Sequence, residues 1–415
     1  MESSSAKKQR NSNVELLKII SMVVIVFAHQ INPYSYSGIG GTVDFSGTVT
    51  TDPQFLFLLF IGPLGLFADV VFIACSAYFL LESNRISVKK VFFLMASDVI
   101  IMSSALVVRA AIGDEISATQ ILEAIFPTFL QVNWFVGYYI VFYLLHPLFN
   151  YAIRKLDKKG LAIVTLILIV QCNVILFAMG ERPGAVGLKF LCFVSIYFAV
   201  AFYKLYGGKL WESKKFNVCM LFVTTALYVA FRIAMNYIGL ANEYVAERQY
   251  YYAHINNPII VVWALAAINL ATRKPRYNKI VNYFSGMTLL MYLIHQRLLF
   301  QQRSGYMEYF LDAYGVQNFW LAVLTLSCIV LGLTVSLSVI YRHTAYYGVM
   351  ALGGAVEKGV YSVCEKLKTK IDEKKSKKLS EEATIACDSS QEGNFVCEKN
   401  KQDENLSDSD KEDKE

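Results

Sequence analysis

The sequence predicts an all-α integral membrane protein, with about ten transmembrane helices followed by a disordered cytoplasmic C-terminal tail. Three observations predict it. Of the 415 residues, 55% are hydrophobic and only 17% charged, against about 45–50% and about 25% in an average soluble domain. The apolar residues fall into ten runs, most of them near the ~17–25 residues that a helix needs to cross a ~30 Å hydrocarbon core. Lys and Arg are distributed unevenly between the connections: 18 lie in the N-terminus and every second loop, and five, Arg109, Arg182, Lys189, Arg248 and Arg303, in the alternate ones. The positive-inside rule then puts both termini in the cytoplasm. From Ile371 onwards 8 Lys/Arg stand against 14 Asp/Glu, so a body of net +12 carries a tail of net −6. The excess basic residues lie between apolar runs rather than on one patch, which excludes a nucleic-acid footprint. Eight scattered cysteines show neither a disulfide framework nor zinc spacing.

The ten runs, in chain order, cover residues 14–32, 55–81, 89–112, 132–151, 161–179, 187–206, 216–238, 258–271, 280–300 and 318–341. The first is read as a retained helix, because no small-residue cleavage site follows it and the chain stays apolar afterwards. Residues 1–13 form a cytoplasmic N-terminus and 14–341 the membrane domain. Residues 342–371 read as an interfacial amphipathic helix. Residues 372–415, rich in Ser, Asp, Glu and Lys, read as disordered for want of apolar side chains. Two connections assigned to the outside stand out: 33–54 holds no Lys or Arg, and 239–257 is rich in tyrosine, including Tyr251. Such rings suit stacking on sugars, and equally an interfacial aromatic belt.

Ionisable side chains within membrane helices are costly, so they carry most of the information. They are Lys18 and His29 in the first run, Asp69 in the second, Asp98 and Arg109 in the third, His146 in the fourth, Arg232 in the seventh, and His295 and Arg297 in the ninth. At 1.5 Å per residue, Lys18 lies about 6 Å, Asp69 about 18 Å, and His29 and His295 about 22 Å from the inner boundary. His29, Asp69 and His295 therefore share a layer. A buried imidazole beside a carboxylate suits a general base, while Lys18 near the inner mouth suits a phosphorylated cytosolic donor or simply snorkels to the interface. His146, next to Pro147, reads as a helix-end cap rather than a catalyst.

The stretch from Arg10 to His29 contains a basic residue, ten intervening residues and a histidine, Lys18 and His29. It resembles the opening of the acyltransferase-3 family of integral membrane O-acyltransferases. Gly65 to Leu80, the Trp134-led fourth run through His146 and Asn150, and Met291-Tyr292-Leu293-Ile294-His295 resemble that family's later motifs in the same order. This sequence departs from the pattern in having Lys18 where Arg is usual, Ala77 for Gly, and a sparse Arg85, Lys89 and Lys90 in place of an Arg-rich loop. The resemblance implies a membrane enzyme that moves an acyl group, above all acetyl from acetyl-CoA as co-substrate, with no tightly bound cofactor and no metal. The acceptor implied is a hydroxyl of a cell-envelope polysaccharide or its lipid-linked precursor at the plasma membrane. His29 and Asp69 are then the catalytic pair, Lys18 and Arg85 bind donor, and Trp134, His295, Arg232 and Tyr251 support the acceptor side. The alternative from another class is a non-enzymatic glycolipid or polysaccharide flippase that uses the same polar column as a conduit.

Overall fold

The computed structural model describes residues 11–31, 35–36, 43–44, 60, 64–178, 188–248, 254–297, 309–310 and 312–404. The expected site residue Tyr251 lies outside them. In chain order the helices are α1 (Ser12–Ile31), α2 (Leu64–Leu80), α3 (Val88–Ala111), α4 (Ala118–Ile125), α5 (Trp134–Lys155) and α6 (Lys158–Ile169), the last running on into a π-helical turn at Val170–Ile175. They continue as α7 (Leu188–Tyr206), α8 (Gly208–Glu212), α9 (Lys214–Ala241), α10 (Glu243–Glu247), α11 (Pro258–Thr272), α12 (Lys279–Ser285), α13 (Thr288–Arg297), α14 (Phe319–His343) and α15 (Ala345–Glu404). Two-residue strands at Ser35–Tyr36 and Val43–Asp44 pair antiparallel, Ser35 opposite Asp44.

Seven of the described helices, α1, α3, α5, α6 with its π turn, α7, α9 and α14, are long and apolar enough to cross a membrane. The other three expected spans take different forms. Helices α2 and α11 are apolar but shorter, with 17 and 15 residues, and the run 280–300 divides into α12 and α13 around Gly286 and Met287. The large exposed side chains of the long helices are mostly Leu, Ile, Val and Phe, such as Leu166, Phe222 and Leu324, with Tyr151 and Tyr237 among them. An outward apolar surface of this kind is what a helix facing lipid requires.

Contacts divide the chain into two units, Met1–Ala351 and Leu352–Glu415. In the first, α1 is central and packs against α2, α11, α12, α13 and α14. Small residues allow the closest of these approaches: a Cβ on Gly65 of α2 would sit 3.0 Å from the Cβ of Ala28 on α1, so glycine lets the two helices meet beside His29. The start of α1 is tied to the connection before α12. Ser12 donates its N–H to the Arg276 carbonyl (2.7 Å) and its hydroxyl to Asn282 Oδ1 (2.9 Å), and accepts from the Asn278 N–H (2.7 Å). His146 lies inside α5 rather than at its end, and it is the end of α2 that it meets. One ring nitrogen meets the Tyr143 carbonyl, the other lies 2.9 Å from the Ser83 carbonyl in the turn that ends α2, and Asn150 donates to Leu80 and Ser83 beside it.

In the second unit the structure differs from the expectation of disorder, because helix α15 continues to Glu404. Composition argued that this segment has no core to fold around, and every side chain from Lys358 to Ser376 is indeed exposed. A helix needs only local propensity, however, which Lys, Glu and Ala supply, and no proline follows Pro275 to interrupt it. Leu352, Val356, Val360, Val363, Leu367 and Ile371 recur every three or four residues, the spacing of one helix face, and all are exposed.

Candidate active site

Ser12 and Asn278 are hydrogen-bonded at one end, and His29 and His295 each lie 17 residues further along. Two helical paths of equal length, about 25 Å, leave one anchored level, so the imidazoles arrive at the same height. They meet there: His29 Nδ1 is 2.8 Å from His295 Nε2, with the rings stacked at 5.1 Å between centroids.

The hydrogen-bond network decides the tautomers. His295 Nδ1 lies 2.9 Å from the Met291 carbonyl, and a carbonyl only accepts, so Nδ1 of His295 carries the proton. In the neutral ring its Nε2 then accepts, and Nδ1 of His29 must donate to it. The basic nitrogen of the pair is therefore Nε2 of His29. This is the logic of an oriented general base, with a second ring and a backbone carbonyl in the place of a carboxylate. His295 is fully buried, and it, not Asp69, is the partner of His29 at Nδ1.

Asp69 is buried, and its Oδ1 makes no hydrogen bond among the described residues. The same is true of the Tyr292 hydroxyl. The Tyr292 ring stands edge-on to His295 at 5.7 Å, and the Asp69 charge acts on Tyr292. Of the two, only Asp69 is left without a neighbour to bond to among the described residues, because the Gln296 side chain also reaches the Tyr292 hydroxyl. The rings continue outward through Phe135, 5.4 Å from Tyr292, to Trp134, 5.7 Å from Phe135. The Lys189 ammonium covers one face of Trp134 at 4.4 Å and also acts on Asp69. In the connection before α11, burial, reinforced by the Lys189 charge, pushes the His254 imidazole down to about 3 and keeps it neutral.

A second polar group holds the end of α13. Arg297 Nε donates to Asn133 Oδ1 (2.7 Å) and its Nη2 to the Val132 carbonyl. Asn133 Nδ2 and Thr128 Oγ1 (2.9 Å) donate to the Asp98 carboxylate. Asp98 and Asn133 are fully buried. Asn133 bridges the cation and the anion, and so fixes α13, with His295 on it, against α3 and the start of α5. Asp98 and Arg297 stood out in the sequence as ionisable residues within spans, but nothing there showed that Asn133 joins them.

At the other end of α1, Lys18 Nζ lies 3.1 Å from Glu15 Oε2, three residues away, and Ser285 Oγ donates to the same carboxylate. Lys18 lines a cavity of about 230 Å3 together with Lys90, Ser76, Tyr139, Tyr143 and Thr288. Phe135 closes it on the side of Tyr292. Lys90, itself exposed, is thus the cation that shares this cavity with Lys18, and Arg85 does not line it. Arg232, on α9, is 3% exposed. No group of three or more metal-ligating side chains occurs among the described residues.

Residues 11–342 match the family model of the acyltransferase-3 acyltransferase domain. The chain belongs to the acyltransferase-3 family. The match begins one residue before α1 and ends one residue before the last residue of α14, so the bundle that holds the His29–His295 pair is the acyltransferase domain, and the protein is a membrane acyltransferase. Comparison with curated proteins and with solved structures gives no match. The acyltransferase-3 resemblance read from Lys18 to His295 is thereby established on the whole bundle.

Proposed function

We propose that this acyltransferase moves an acyl group, acetyl from acetyl-CoA in the leading case, to a hydroxyl of a cell-envelope polysaccharide or its lipid-linked precursor at the plasma membrane. The observation that carries the reading is the hydrogen-bonded sequence His29, His295, Met291 carbonyl. Nε2 of His29 takes the proton of the acceptor hydroxyl as its oxygen adds to the thioester carbonyl. The tetrahedral oxyanion collapses, the carbon–sulfur bond breaks, and the same proton passes from His29 to the departing thiolate, so the ester and the free thiol are the only products. Asp69 and Tyr292 receive hydroxyls of the acceptor, and Lys18 and Lys90 hold phosphates of the donor, with its thioester arm in the cavity between them and Phe135. The decisive assay is release of free thiol from acetyl-CoA by the purified protein with and without candidate glycans. Acceptor-dependent release supports the reading, and none with any acyl-CoA overturns it.

Two expected results follow from this arrangement. Lys18→Ala and Lys90→Ala each raise KM for the acyl-CoA about tenfold or more with a smaller change in kcat, since a lost charge-assisted hydrogen bond costs roughly 1.5–3 kcal/mol. Lys18→Arg, which keeps the charge, retains most activity. Steady-state kinetics at varied donor concentration checks both.

Ten crossings with both ends cytoplasmic is the topology we propose, on the 18 to five division of Lys and Arg. In a chain lacking its own cysteines, Glu243→Cys then reacts with a membrane-impermeant thiol reagent applied to intact cells, whereas Lys214→Cys reacts only after lysis. The opposite pattern refutes the orientation.

A further inference from the structure

The proposed reading leaves open whether the acceptor arrives as free glycan or on a lipid, and a second cavity in the same bundle bears on this. It is a groove of about 380 Å3 between α1, α2, α9 and α11, walled by Leu17, Val24, Phe67, Val71, Val229 and Trp263 with Tyr228 among them. Phe67 stands edge-on to both Tyr228 (4.6 Å) and Trp263 (5.8 Å). The Tyr228 hydroxyl is buried and has no hydrogen-bond partner among the described residues.

We infer that this groove holds the hydrocarbon chain of a lipid-linked acceptor and presents its polar end to His29; the inference rests on the transfer reading above. An apolar cavity in a bilayer fills with hydrocarbon rather than water. At roughly 30 Å3 per water-sized group, the volume suits on the order of a dozen methylenes, one chain rather than the two of a phospholipid. On α1 the groove ends at Val24, five residues and about 7.5 Å before His29. On α2 it is walled by Ala68 and Val71, to either side of Asp69. A chain lying along it therefore ends beside Asp69, about 7.5 Å along α1 from His29, and it is the polar end that covers this distance. Arg232, one turn beyond Tyr228 on α9, is buried and its charge acts on Tyr228, which complements the phosphate of a single-chain lipid phosphate such as a polyprenyl phosphate.

Trp263 in the groove wall reports on the occupant. The purified full chain is placed in bilayer discs of phosphatidylcholine with brominated acyl chains, which quench an indole they touch, and unbrominated polyprenyl phosphate is titrated in. The expected result is a saturable recovery of fluorescence that is missing in Trp263→Phe, with half-saturation shifted about tenfold or more upward in Val229→Phe, whose larger ring fills the groove. Recovery no greater than that given by the same amount of unbrominated phosphatidylcholine overturns the inference and leaves the groove to bulk lipid. Saturable recovery unaffected by Val229→Phe also overturns it, by putting the carrier elsewhere. Thiol release from acetyl-CoA is measured on the same preparations, so a failure of carrier binding is distinguishable from a failure of acyl transfer.

Discussion

His29→Gln and His29→Ala each abolish acyl transfer, by about 10²–10⁴-fold in kcat if the imidazole acts as general base, while membrane accumulation stays at the wild-type level because neither replacement adds a charge at that depth. His295→Ala also lowers transfer steeply, since it removes the acceptor that fixes the tautomer and plane of His29. The two rings act as one unit, so the double variant should be no slower than His29→Ala alone, as with other catalytic groups that share a function. The measurement is thiol release for the wild type and the four variants. Wild-type rates in His29→Gln would remove the mechanism, and additive losses in the double variant would mean that His295 acts independently.

Asn133→Ala should destabilise the bundle strongly. It strips one hydrogen bond from Asp98 and one from Arg297 at once, leaving Thr128 on the one and the Val132 carbonyl on the other, and a lost hydrogen bond to a charged group costs roughly 1.5–3 kcal/mol. The expected outcome is a lowered thermal unfolding midpoint of the detergent-solubilised protein, with Asn133→Asp no rescue because it sets a second carboxylate against Asp98. Asp98→Asn keeps the shape and removes one charge, so it should fall between the two. Thiol release is measured with the unfolding curve. Loss of stability with transfer retained would confine the group to holding the bundle together, whereas parallel loss ties it to the placement of His295.

Much of the site was legible in the chain because membrane helices convert residue number into depth. Lys18, His29 and His295 could be ranked by counting at a fixed rise, and the structure brings the two imidazoles together at one height. Counting along single helices carries no information on azimuth, so it could not say which side chain at that height faces His29. The expectation chose the carboxylate of Asp69, and the partner is His295. Arg85 illustrates a related limit: proximity in sequence to the inner mouth could not separate it from Lys90 five residues later, and only Lys90 turns into the cavity with Lys18. Glu15 had a readable signal, an acidic residue three positions before Lys18 in the same run, where helical neighbours meet.

The sequence by itself determined the membrane character, the positions of most spans, the family and the layer that His29 and His295 share, because apolar run length and spacing along one helix are local properties. Tertiary structure alone decided the hydrogen-bond partners. The His29–His295 contact, the Asp98–Asn133–Arg297 bridge and the groove beside Trp263 each join residues far apart in the chain, through the rotation and approach of packed helices. Even the break at Gly286, which turned one expected span into α12 and α13, is compatible with an apolar run that reads as continuous. Hydropathy sums over a window and is blind to direction around the axis, and it is direction around the axis that brings His29 against the buried His295.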